Sequence, residues 1–140
     1  MVSSSFFVQT GMTTTTANTF QQLVDQALQN AGAIGPKSVT IVNPTGYDDL
    51  MMFYVNAACT IQQITASVKG MNGQSINFDI RFAPNPSDTG TSVVTGGTNV
   101  SQTQIVTSFN NATIPANSYV RVVTSNLTGD VDELAISIDF

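Results

Sequence analysis

From Lys37 onward the apolar residues of this chain recur at every second position, and that period decides most of what it can fold into. Ile76, Phe78, Ile80 and Phe82 alternate with Asn77, Asp79 and Arg81; Leu134, Ile136, Ile138 and Phe140 alternate with Ala135, Ser137 and Asp139. Successive side chains of a strand point to opposite faces, so each set lines one buried face of a sheet. Val39 and Ile41 open an earlier strand, closed by the turn formers Asn43-Pro44-Thr45-Gly46. Ile64, Ala66 and Val68 alternate along another, and Asn72-Gly73 predicts a tight hairpin from it into Ile76–Phe82. Leu50–Val55 is a continuous apolar run, short enough to read as a strand covered on both faces. Shorter strands are expected around Val93-Val94, Ile105-Val106 and Val120–Val122, with Pro84–Gly90 as a loop dense in turn formers. About eight strands at such spacing predict one domain over residues 37–140, an all-β, antiparallel, jelly-roll-like β-sandwich.

The period is different before residue 37. Phe20, Leu23, Val24, Ala27, Leu28 and Ala31 fall at the three- and four-residue spacing of one helical face. Thr19 followed by Gln22 makes a capping-box pattern, and Gly32 supplies a stop before Pro36. A short helix over 19–31 is therefore expected within a helix-and-linker segment, 18–36. Residues 1–17 carry a Ser triplet, the apolar Phe6-Phe7-Val8 and the run Thr13-Thr14-Thr15-Thr16, with little to bury. They read as an extended arm in which Phe6, Phe7, Val8 and Thr13 to Thr16 are candidate partner-binding residues. The alternative is a terminus tucked onto its own sheet.

Composition narrows the function. Of 140 residues 41% are hydrophobic but only 9% are charged, against about 25% charged in an ordinary soluble domain. Ser, Thr, Asn and Gln make up the polar share, which suits a surface that presses against protein. The only bases are Lys37, Lys69, Arg81 and Arg121, and the net charge is −5. Four scattered cations cannot track a phosphate backbone or hold an anionic membrane surface, so neither nucleic acid nor membrane is an expected partner. The N-terminus has no positive n-region followed by a long apolar stretch, so synthesis in a cytoplasm is expected.

Chemistry is hard to find. There is no His, which removes the commonest general base and every His-dependent nucleophile arrangement. Gly96-Gly97 is not followed by the Lys-Ser/Thr of a phosphate loop. The single Cys59 excludes an internal disulfide and reads as a buried, inert thiol. Asp130, Asp132 and Glu133, with Asp48-Asp49 in another loop, are weak calcium candidates, but no EF-hand spacing surrounds them and strand-entry acids are commonplace. A glycosidase-like acid pair would need aromatic sugar platforms, and the chain has no Trp and three Tyr. Sequons at Asn99, Asn111 and Asn126 are about as many as the Ser/Thr content produces by chance. No catalytic residue, cofactor or metal is expected, and the chain does not read as an enzyme.

One stretch carries a resemblance. Ile76-Asn77-Phe78-Asp79-Ile80-Arg81-Phe82-Ala83 runs into a Pro/Asp/Gly loop and then Ser92-Val93-Val94-Thr95-Gly96-Gly97-Thr98. Val106 to Val120, containing Thr113-Ile114-Pro115-Ala116-Asn117-Ser118-Tyr119-Val120, follows, and then Val131-Asp132-Glu133-Leu134. This order resembles a module of tailed-bacteriophage structural proteins, including those of cyanophages, found in capsid decoration (cement) proteins and at the ends of head and tail fibres. The resemblance covers roughly the C-terminal half. It implies a virion structural protein on the outer capsid surface that binds the major capsid protein, forms homotrimers at local three-fold positions and joins adjacent capsomers, with the arm from Ser3 to Thr16 laid over the capsid or a neighbour. A fibre tip normally sits on a long shaft, and this chain has no shaft repeat. The alternatives are a tail or head-fibre module binding a receptor or glycan, for which Tyr47 and Tyr119 are the candidate exposed aromatics (Tyr119 more readily placed in the core), and a neck or head-completion component.

Overall fold

The computed structural model describes residues 34–140. The arm expected over 1–17, with Phe6, Phe7, Val8 and Thr13 to Thr16, and the helix expected over 19–31 lie outside the described residues. Within them the structure is all β, without a helix. Nine strands follow in order: β1 (Lys37–Val42), β2 (Asp49–Val55), β3 (Cys59–Thr60), β4 (Gln63–Ala83), β5 (Thr91–Ser92), β6 (Thr98–Val100), β7 (Thr103–Val106), β8 (Thr113–Ile114) and β9 (Ser118–Asp139). Every pairing is antiparallel.

Two strands organise the rest. β4 has 21 residues and β9 has 22, and they pair from Gln63↔Asp139 at one end to Ala83↔Tyr119 at the other. β1 lies on the C-terminal half of β9 and β7 on the N-terminal half of β4. β2 lies on the N-terminal half of β9, while β5 and β6 lie on the C-terminal half of β4. A single seven-stranded sheet results, with β3 and β8 as a separate pair. One half of it reads β1-β9-β4-β7 across; the other reads β2-β9-β4 and then β5 or β6.

The alternation read from the sequence is the core. Ile64, Ala66, Leu134, Ile136 and Ile138 are at most 1% exposed in the first half, and Ile76, Phe78, Val120 and Val122 at most 2% in the second. A sheet face cannot be that dry without a layer over it, and the described residues contain no helix to supply one. Phe53 on β2 sets its ring edge-on to Phe140, just past β9, at 5.9 Å and 90°. That contact joins the second half of the sheet to the far end of the first. The arrangement is consistent with a β-sandwich.

The expected hairpin at Asn72-Gly73 does not form. Both residues have positive φ, 63° and 72°, as a hairpin turn requires. Yet the chain does not reverse: the register slips between Met71 and Ser75, and the segments on either side both pair with β9. Opposite them, Asn126 and Gly129 also have positive φ. Extra residues on both strands of a ribbon bend it and raise its twist, so the local turn signal is used for a corner. Close backbone approach dictates the residues there. A Cβ on Gly129 would sit 2.6 Å from the Asn72 carbonyl oxygen, and one on Gly70 would collide with the carbonyl oxygen of Asp130.

The Leu50–Val55 run is a strand but is not covered on both faces. β2 borders β9 on one side and no other strand among the described residues; only Val55 is buried, and Leu50, Met51 and Tyr54 stand exposed. Hydrophobicity and length fit an edge strand as well as an inner one. Nine strands stand where about eight are expected: β4 and β9 each absorb two expected strands, and the short β3, β6 and β8 are additions.

Candidate interaction surface

Asp130 pairs with Met71 and accepts a hydrogen bond from Asn72 Nδ2. The Asp132 carbonyl accepts the N–H of Asn43, and Glu133 lies in the row Val42–Glu133–Lys69. Asp132 falls where the ladder slips by one residue, between Glu133 opposite Lys69 and Val131 opposite Gly70, and has no ladder partner in β4. Asp48 closes its own loop, accepting from the Thr45 N–H at 2.7 Å and the Thr45 hydroxyl at 3.0 Å. Asp49 pairs with Arg121 at 3.2 Å. Among the described residues no three His, Cys, Asp or Glu side chains are gathered as metal ligands, so the structure does not bring Asp130, Asp132 and Glu133 together.

The two arginines form a clamp that the sequence reading did not anticipate. Arg81 and Arg121 are cross-strand partners at the centre of the second half-sheet. Arg81 donates to the carbonyls of Thr89 (2.8 Å) and Gly90 (2.9 Å), and to Asp79 Oδ2 (2.6 Å) and Ser92 Oγ (2.8 Å). Arg121 donates to the carbonyls of Asp88 (2.5 Å) and Pro86. The loop 84–90 is thus held onto the outer face by guanidinium forks, whose fixed donors match such carbonyl sets. Half of the chain's four bases are committed to this task. The spacing Asp79-x-Arg81 was the available clue, because residues two apart share a strand face.

What remains outward-facing is mostly uncharged. In the first half-sheet the outer rows read Ser38–Ser137–Thr65–Ile105 and Thr40–Ala135–Ser67–Thr103. All are neutral, most are small, and six of them line a shallow depression. In the second half an apolar strip follows the free edge of β2: Tyr54 and Met51 stand on the outer face, with Tyr47 and Leu127 exposed beyond the strand end. Leu50, opposite the buried Val122, lies at the edge of the inner face. Tyr54 packs against Tyr119 with ring centres 4.7 Å apart, and its hydroxyl donates to Asn117 Oδ1 at 3.1 Å. Tyr119, expected in the core, is therefore half-buried on the outer face. Tyr47 is 92% exposed. The acids beside the strip, Asp48 and Asp49, are both engaged within the chain.

No protein-family model matches the sequence, and no curated protein matches it either. Among solved structures the chain is similar to one from the cyanophage Pam1 capsid asymmetric unit, at 15% identity and a TM-score of 0.41, covering 74% of this chain and 79% of that one. It is similar to one from infectious bursal disease virus, Gt strain, at 16% identity and a TM-score of 0.35, covering 77% of this chain but only 30% of that one. It is also similar to the Yersinia pseudotuberculosis-derived mitogen, at 11% identity and a TM-score of 0.37, covering 77% and 86%. At these identities and scores none of the three lends the chain its role.

Cys59 lies half-buried in β3, opposite Ile114. Burial pushes its thiol pKa up, toward the protonated form, which is the opposite of what a nucleophilic cysteine needs. No described helix is long and apolar enough to cross a membrane.

Proposed function

We propose that this chain is a virion structural protein, a capsid decoration (cement) protein that binds the major capsid protein on the outer capsid surface and ties neighbouring capsomers together. The observation that carries the proposal is the pair of uncharged outward surfaces, the Ser/Thr/Ala face and the Tyr/Met/Leu strip, on a domain whose nearby acids are occupied by internal contacts. Interfaces are enriched in Tyr and Met and depleted in charge at their centres, and a protein kept dispersed in solution usually carries more surface charge than this. The order of motifs from Ile76 to Leu134 supports the same reading. In it the chain is a homotrimer, made in the host cytoplasm, with no catalytic activity, cofactor, nucleic acid or membrane among its requirements. The same reading takes the ribbon of β4 and β9, bent at its middle, as part of a jelly roll. Each contact can be modest, since many copies acting together supply avidity.

The test is light scattering of the purified chain together with binding to expanded, undecorated phage heads. A stable trimer that coats heads in hundreds of copies is the expected result. A monomer that leaves heads bare rejects the proposal.

A second reading has one observation in its favour. Tyr47 stands almost fully in solvent beside Leu127, a ready stacking surface for a sugar ring, as a receptor- or glycan-binding fibre module would need. Binding to cells or glycans that is lost in Tyr47→Ala, with no affinity for heads, selects it.

A further inference from the structure

Asn72 is the one asparagine of twelve that is followed by glycine. Glycine has no side chain to shield its amide nitrogen, so an Asn-Gly pair offers the least hindered approach of that nitrogen to the asparagine side-chain carbon. In this fold the pair sits at the exposed corner of the β4/β9 ribbon. It falls where the register slips between Met71 and Ser75, so neither residue is a ladder partner of β9. The side chain is tied down nonetheless: Asn72 Nδ2 donates to Asp130 Oδ2 on the facing strand.

We propose that Asn72 is a deamidation site and that Asp130 is the residue restraining it. The Gly73 backbone nitrogen, after giving its proton to hydroxide, attacks Asn72 Cγ. The Cγ–Nδ2 bond breaks, ammonia leaves, and a five-membered succinimide closes. Water then adds at either ring carbonyl, giving aspartate or isoaspartate; the sum is one water taken up and one ammonia released, with nothing oxidised or reduced. The attack brings Cγ onto the Gly73 nitrogen, and a side chain anchored through Nδ2 to the opposite strand is not free to make that turn.

The product changes the corner. A carboxylate at position 72 meets the carboxylate of Asp130, so a hydrogen bond becomes a like-charge contact, and the net charge moves from −5 to −6. Isoaspartate adds a backbone methylene where Gly129 lies too close to Asn72 to admit even a Cβ. Conversion therefore loosens the bend that separates the two halves of the sheet.

Peptide mapping by mass spectrometry tests this on the purified full-length chain held at mildly alkaline pH. Wild type is compared with Asp130→Ala, with Asp130→Asn and with wild type unfolded in urea. Asn72 is expected to gain one mass unit ahead of the other asparagines. Asp130→Ala is expected to convert about tenfold faster, the order of effect for losing one charge-assisted hydrogen bond. Asp130→Asn, which keeps an acceptor oxygen, should lie between wild type and the unfolded chain, and it carries the test if the alanine variant does not fold. Other asparagines converting while Asn72 stays intact overturns the site. A rate at Asn72 that is unchanged or slower in both variants overturns the restraint.

Discussion

Gly129 and Gly73 form a natural pair for testing how the corner of the ribbon is held. Both have positive φ, 67° and 72°, so alanine at either position meets the same conformational penalty, about 1–2 kcal/mol for a left-handed residue with a Cβ. Their surroundings differ. A Cβ at Gly73 meets nothing within 4 Å, whereas one at Gly129 lies 2.6 Å from the Asn72 carbonyl oxygen and 2.8 Å from the Gln74 nitrogen. Backbone atoms cannot swing aside as side chains do, and overpacking of this kind costs about a further 1–3 kcal/mol. Gly129→Ala is thus expected to lose about 2–5 kcal/mol, a large fraction of the roughly 5–15 kcal/mol that holds an ordinary domain. Gly73→Ala should lose only about 1–2 kcal/mol. Urea unfolding monitored by circular dichroism measures both, with the midpoint falling and the slope unchanged for a change in stability alone. Equal losses for the two variants would refute the inference that strand-to-strand approach, beyond φ itself, demands glycine at 129.

Other consequences of the fold can be measured as directly. Arg121→Met keeps much of the side-chain volume but removes the donors to the Pro86 and Asp88 carbonyls and the pair with Asp49; the expected loss is about 2 kcal/mol, with faster protease cleavage within 84–90 than in wild type. Tyr47→Ala, at a side chain 92% exposed, should leave the unfolding free energy within about 0.5 kcal/mol of wild type while lowering the amount of chain retained in a pull-down on heads or glycans. Cys59, with its thiol pKa raised by burial, is expected to alkylate more slowly than a free cysteine at the same pH, the difference vanishing in urea; equal rates in the folded chain would contradict that placement.

The inward faces were readable in the sequence because they depend on a local rule. Alternation at Ile76–Phe82 and Leu134–Phe140 identified side chains that are buried or nearly so. What could not be read depends on partners far along the chain. Asn72-Gly73 carries a hairpin signal, but the choice between reversing and bending is made by β9, which offers pairing partners on both sides of it. The run Leu50–Val55 is equally apolar at an edge or in the middle of a sheet; its position is fixed only by the absence of a described strand beyond it. Arg81 and Arg121 read as isolated cations until the sheet sets them side by side over loop 84–90. The Tyr/Met/Leu strip was missed for the same reason as the edge, since an apolar run is assigned inward by default. Asp130, Asp132 and Glu133 are close in sequence, yet Asp130 is taken up by Asn72 and no metal-ligand cluster forms among the described residues.

The continuous pairing of β4 with β9 also governs how the molecule comes into being. The five strands that flank the ribbon in the large sheet all pair with one or other of these two, and the two meet first at Ala83↔Tyr119, across an intervening stretch that itself carries β5 to β8. The local hairpin within the large sheet, β4 with β5, offers only the pairs Arg81↔Ser92 and Phe82↔Thr91 as a seed. Closure of a long loop must precede any reward from the ladder, and topologies of this kind fold in milliseconds to seconds rather than microseconds. During synthesis the edge of β4 that faces β9 therefore waits unpaired until β9 has been made, while β5, β6 and β7 can reach only its other edge. A shortened chain that stops before Ser118 is expected to be handled as unfolded protein, however much of the aliphatic core it already contains.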